Sequence, residues 1–163
     1  MTNKVIIGID PGQTGGVAII YGAEIKLHVM PDILAFAKIL EDEWIWGTPI
    51  IYIEKAQSFP KGGVAGMFNY GRHFGELLGV IAALKIPHVL VPPAVWPRVV
   101  CAGCKGGNPK ARNVEAARRL FPTVNLLATA RSKVPHLGLT DALLICHYGV
   151  LKERGIDKPS KAG

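Results

Sequence analysis

Two short runs of branched apolar residues, Val5-Ile6-Ile7-Gly8-Ile9 and Ile50-Ile51-Tyr52-Ile53, each end on an acid, Asp10 and Glu54. Runs of this length and β-branched content read as buried strands. A carboxylate closing such a strand is costly to bury unless something compensates its charge, and the chain has only 12 acidic residues to place. If the two strands are neighbours, both acids stand at one sheet edge and can share divalent cations. A helix cap or a salt bridge is the alternative for each taken singly. Any fold of this chain must accommodate these two strand ends.

The rest of the pattern builds a sheet around them. Pro11-Gly12-Gln13-Thr14-Gly15-Gly16 is a tight turn, residues 17–21 a second strand, and Gly22-Ala23 a turn into a third over 24–30. Three strands joined by short glycine turns imply an antiparallel meander. A helix is expected from Pro31 to about Trp46 with Ile33, Leu34, Ala37 and Leu40 on one face, then a fourth strand over 49–54 and a Gly/Pro loop over 55–66. A glycine-rich helix follows from about Ala65 to Leu84, with Gly66, Gly71, Gly75 and Gly79 letting one face approach a neighbour closely. A fifth strand over 88–91, a short helical piece around Trp96, a mobile Gly-rich loop over 101–109 and helices at about 110–121 and 140–152 complete the chain. The fold class is α/β, a mixed five-stranded sheet with helices packed on it. One domain over 1–155 is expected, with a frayed tail over 156–163.

Hydrophobic residues make up 49% of the chain and charged residues 19%, which excludes disorder as the dominant state. No apolar run is long enough to span a membrane, so no membrane partner is expected. The N-terminus runs straight into a strand without a leader pattern. Three cysteines, Cys101, Cys104 and Cys146, fit a reducing compartment better than a disulfide framework. A cytoplasmic location is expected. Charge is distributed unevenly. Up to Pro97 there are 7 basic and 8 acidic residues, but from Arg98 onward 12 basic and 4 acidic, a net +8 over the last 66 residues. Such an excess presents either a polyanion-attracting face or a merely solubilising one.

Asp141 is the third acid of interest, at the start of the apolar stretch Ala142-Leu143-Leu144-Ile145-Cys146. A helix-capping role is its alternative reading. Taken in order, the three acids resemble the ribonuclease H-like nucleases, and among them the RuvC-type Holliday junction resolvases of small phage or organellar type. Gly8-Ile9-Asp10-Pro11-Gly12 with Thr14-Gly15-Gly16-Val17-Ala18 resembles that family's first strand and turn. Ile53-Glu54 with Gln57 and Phe59 resembles the second acidic strand end and its loop, and Asp141-Ala142-Leu143 the C-terminal helix.

The resemblance implies a Mg²⁺-dependent endodeoxyribonuclease, with Mn²⁺ able to substitute, that acts on four-way DNA junctions as a homodimer. It implies Asp10 bridging two metal ions with Glu54 and Asp141 on either side, a ligand chemistry that suits hard cations. The family usually carries another acid three positions before the last. Here that position is Gly138, and His136 is the nearest candidate for the fourth catalytic and metal-binding role. His136 shares a helix face with Asp141 only if Leu137 and Gly138 are not yet helical, which Pro135 and Gly138 favour; otherwise it is a surface histidine.

Arg98 and Lys110 resemble the family's phosphate-binding basic positions, although Arg98 stands where a lysine is usual and is a poor proton donor. Arg112, Arg118, Arg119, Arg131 and Lys133 extend the basic track or are ordinary solvated charges. Phe59 resembles an aromatic that stacks on an unpaired base. Cys101-x-x-Cys104 lacks the further ligands a zinc site needs and reads as a pair of free thiols. Trp44, Trp46 and His73 read as packing residues. The phosphate loop of actin-like ATPases and sugar kinases begins similarly, but those proteins close two domains on a nucleotide. A non-catalytic DNA-binding module, and a related nuclease acting on another branched or hybrid nucleic acid, are the remaining alternatives.

Overall fold

The computed structural model describes residues 4–57 and 63–156. Five strands, β1 (Val5–Asp10), β2 (Gly16–Tyr21), β3 (Glu24–Val29), β4 (Pro49–Glu54) and β5 (His88–Val91), form one sheet in the order β3-β2-β1-β4-β5. The first three are the expected antiparallel meander, and β4 and β5 add in parallel. The acid-ended strands are therefore neighbours. Their register pairs Ile9 with Ile53, so the next residues, Asp10 and Glu54, end β1 and β4 side by side.

Strand alternation divides the core into two layers. Val5, Ile7 and Ile9 of β1 with Ile51 and Ile53 of β4 meet α1 (Ile33–Glu43) and α2 (Val64–Ala83). Ile6 and Tyr52 face the other way, onto α3 (Trp96–Val100), α4 (Pro109–Leu120) and α5 (Leu137–Glu153). Asp10 and Glu54 share the parity of Ile6 and Tyr52, so their side chains belong to the α5 face. The central helix α5 lies directly on the sheet. A Cβ on Gly8 would come within 2.3–2.4 Å of the Cys146 nitrogen and the Ala142 oxygen, a distance only glycine permits.

Three expectations need correction. The first helix ends at Glu43, and Trp44–Trp46 form a 3-10 turn whose tryptophans stay 41% and 56% exposed; Trp46 packs beside Tyr21 and the Lys26 ammonium rather than in the core. The loop after α3 is pinned, because the Glu115 carboxylate accepts from the Lys105 and Gly106 N–H groups at 3.0 and 2.9 Å and Arg119 donates to the Ala102 carbonyl at 3.0 Å. The last helix begins three residues earlier than the sequence suggests, at Leu137. Nearly all of the tail, 157–163, lies outside the described residues. No helix among the described residues is long and apolar enough to cross a membrane.

Candidate active site

Asp10, Glu54 and Asp141 converge at the C-terminal ends of β1 and β4. Burial and, next, the Asp141 and Glu54 charges push the Asp10 carboxyl up to about 8. Burial pushes Asp141 up to about 6, and Glu54 is also raised, by burial and by Asp141. Withdrawal from water leads all three shifts, and repulsion by neighbouring acids adds to those of Asp10 and Glu54.

Two neutral donors hold the outer pair. Trp96 Nε1–H donates to Glu54 Oε2 at 2.6 Å, and Asn113 Nδ2–H donates to Asp141 Oδ1 at 2.8 Å. Both bonds favour the ionised carboxylates and oppose the effect of burial. Among the described residues no ion pair reaches any of the three acids, and the nearest cationic influence on Asp141 is Lys110, acting through space.

Asp141 does not cap its helix. That place belongs to His136, whose Nδ1 accepts the Leu139 N–H at 3.2 Å. With Leu137 and Gly138 helical, the late start that would have placed His136 on the Asp141 face does not occur, and only Nε2 is left for any other role. Gly138 explains the missing acid. A Cβ there would meet the Thr14 oxygen at 2.3 Å and Gly15 at 2.4 Å, so the backbone of the first turn occupies the space that a fourth carboxylate would need.

The basic candidates lie alongside. Arg98 and Arg112 line a cleft of about 440 Å³ together with Trp96 and Asn113, the donors to Glu54 and Asp141. Lys110 and Arg118 line a groove on the other flank of α4, against Val134, Pro135 and Leu137. Phe59 lies outside the described residues. On the far side of the acids, α2 supports the first turn: His73 Nδ1 accepts the Gly12 N–H at 3.2 Å, and the Tyr70 ring lies against Gly12. Burial and the charges of Glu54 and Asp10 push the Tyr70 hydroxyl up to about 12, so it stays protonated beside the acids. His73 is therefore more than packing.

Sequence reading missed Trp96, Asn113 and Tyr70 as site residues. One signal was present for Asn113: it occupies the apolar stripe of α4 with Ala116 and Ala117, all three buried, where an amide needs a polar partner.

Among the described residues no three His, Cys, Asp or Glu side chains stand in metal-holding geometry. The donor chemistry nonetheless fits a hard divalent cation. The three acids offer oxygen only, as Mg²⁺ and Mn²⁺ prefer, and positive charge among them would remove the repulsion that raises Asp10.

No family model and no curated protein matches the sequence. Solved structures do. A structure of T. thermophilus RuvC in complex with Holliday junction substrate aligns with 96% of this chain and 99% of its own, with a TM-score of 0.62 and 16% identity. A further Thermus thermophilus RuvC structure aligns over 95% and 99% with a TM-score of 0.59 and 18% identity. The fold is RuvC-type, the ribonuclease H-like arrangement of a mixed five-stranded sheet and packed helices.

Proposed function

We propose, from this RuvC-type fold, that the protein is a structure-selective endodeoxyribonuclease that resolves four-way DNA junctions by paired, divalent-cation-dependent hydrolysis of phosphodiester bonds. The observation that carries the reading is the trio of half-buried acids: Asp141 and Glu54 raise Asp10, Asp141 raises Glu54, and among the described residues no cationic side chain pairs with any of them. The Holliday junction substrate in one of the similar structures supports the choice of DNA, as does the net +8 of the C-terminal segment.

A bound divalent cation would supply an activated water and neutralise charge on the leaving oxygen. The chain's own residues do the rest. Asp10, Glu54 and Asp141 would hold the cation, and Trp96 and Asn113 would keep the last two from turning away. Arg98 and Arg112, on the cleft beside them, bind phosphates of the cut strand, and Lys110 and Arg118 continue that path. Arg98 clamps phosphate without donating a proton, because a guanidinium stays charged at any working pH. His136 contributes through Nε2 alone. Phe59, five residues after Glu54 in the sequence, is proposed to stack on an unpaired base.

Paired nicks in a nearly two-fold substrate call for two active sites, hence a homodimer. Among the described residues, a Cβ on Gly71, Gly75 or Gly79 of α2 would meet nothing within 4 Å. Leu77 and Ile81 face the core, whereas Phe68 is 69% exposed, so the partner subunit covers the Phe68 and glycine side of α2. Phe68→Asp should leave a folded monomer, read by light scattering, that nicks one strand without pairing the cuts. A folded dimer with paired cuts would place the interface elsewhere.

Cleavage of a four-way junction, a flap, a duplex and an RNA–DNA hybrid, with and without Mg²⁺, tests the function. Symmetric nicks in the junction alone, only with the metal, are expected. Cutting of the hybrid or flap in preference to the junction would move the assignment to another ribonuclease H-like nuclease. Cleavage of none of them with Mg²⁺ or Mn²⁺ would overturn it.

A further inference from the structure

Asn113 is the one amide in the buried stripe of α4, and it is 8% exposed. Packing alone gives no reason for it, since an apolar side chain of the same volume would fill the space without desolvating an amide. Its two ends account for it. On one side Nδ2–H donates to Asp141 Oδ1 at 2.8 Å; on the other, the Cys101 thiol donates to Oδ1 of the amide at 3.4 Å. A carboxylate can only accept and the thiol here donates, so the two neighbours specify the same amide orientation. The thiol is a weak donor, while the bond to the carboxylate is charge-assisted and much the stronger. The link runs from α3 through α4 to α5. It joins the cleft that holds Arg98 and Arg112 to the acid on the central helix.

We infer that Asn113 is a positioning residue of the carboxylate site, its amide held from behind by Cys101, so that Asp141 Oδ1 is committed to the protein and Oδ2 is presented to the ligand. The inference rests on the reading of the three acids as a cation site. Groups that orient a metal ligand in this way typically account for about 10–100-fold in metal affinity or activity, which sets the scale of the test.

Asn113→Leu keeps the branched shape and heavy-atom count of the side chain and removes the donor. Mn²⁺ binding to the DNA-free protein, followed by electron paramagnetic resonance, should weaken at least about 10-fold. Junction cleavage should slow by a similar factor, while junction affinity without metal and the melting temperature stay close to wild type. Cys101→Ser, which keeps a donor, should bind Mn²⁺ as wild type does, and Cys101→Ala should weaken it by less than Asn113→Leu. Unchanged Mn²⁺ affinity in a folded Asn113→Leu protein would overturn the inference. So would weaker Mn²⁺ binding accompanied by an equal loss of metal-free junction affinity and a lowered melting temperature, because a purely structural residue behaves that way. If Asn113→Leu does not fold, wild-type Mn²⁺ affinity in Cys101→Ala together with Asn113→Ala overturns it equally. A wild-type protein that binds Mn²⁺ but cuts no junction would count against the proposed function and leave this comparison intact.

Discussion

Two regions of the molecule withdraw carboxylates from water, one fully and one in part, and they treat them differently. At the corner of α1 and β3, Glu43 is only 5% exposed and meets the Lys26 ammonium at 2.6 Å. At the ends of β1 and β4, Asp10, Glu54 and Asp141 are gathered with neutral donors for company, Trp96 and Asn113, and Asp10 is pushed up to about 8. The first corner has settled its charge within the chain. The second gathers its acids with no cationic partner among the described residues. A fold that pairs one buried acid with a lysine, and among its described residues gathers three others without one, is the contrast on which the proposed cation site rests.

The largest expected effect comes from relieving the second region. On the proposed function, Asp10→Asn should lower junction cleavage by a factor of about 10³ or more, because it removes one of the three acids proposed to hold the cation. Junction binding should hold, and above about pH 8, where the Asp10 carboxyl is ionised, it should tighten, since one negative charge facing the phosphates is gone. A gel-based nicking and binding assay reads both quantities, and normal cutting by this variant would remove Asp10 from the site.

Making the first region resemble the second gives an intermediate effect. Lys26→Met leaves Glu43 buried without its cation. The cost should be about 1–3 kcal/mol, measured as a lowered urea midpoint. It falls below the usual penalty for breaking a buried pair because the Lys26 side chain is 45% exposed. No change in midpoint would mean that Glu43 is rescued by water and that the contrast between the two regions is weaker than drawn.

The smallest effects belong to His136. Its capping bond is worth about 1 kcal/mol. His136→Asn keeps a capping acceptor and removes Nε2, so a fall in cleavage at unchanged melting temperature would assign Nε2 to the reaction. His136→Asp keeps the cap as well and adds a carboxylate, and substantial Mg²⁺-dependent activity is expected of it. Equal wild-type rates for both would confine His136 to capping.

Much of this was legible in the chain. The apolar runs of β1 and β4 are unbroken and end on their acids, so both strands and both carboxylates could be read directly. The parallel pairing that brings them together is a tertiary fact, and sequence could offer it only as a condition. The start of α5 was misread because Pro135 and Gly138 look like helix breakers. In the fold, Gly138 is helical, and its missing Cβ is what lets the turn at Thr14 and Gly15 approach. Histidine is outside the usual set of capping residues, so His136 gave no sign of its role. Trp96 and Asn113 touch acids 42 and 28 residues away, beyond the reach of any local pattern.

The raised acids also set the pH dependence of stability. A carboxyl at about 8 in the folded chain and near 4 unfolded makes the folded state bind more protons between those values, so stability falls as pH rises through that window. Asp141, at about 6, adds to the fall over the lower part of it. The most direct measurement is the melting temperature of wild type and Asp10→Asn at pH 6 and pH 8.5, with and without Mg²⁺. At pH 8.5 without metal, Asp10→Asn should melt above wild type by roughly 5–10 °C, at about 2–4 °C per kcal/mol for a chain of this size. Mg²⁺ should raise wild type more at pH 8.5 than at pH 6 and raise Asp10→Asn little at either. A wild-type protein whose melting temperature neither falls with pH nor responds to Mg²⁺ would contradict the account.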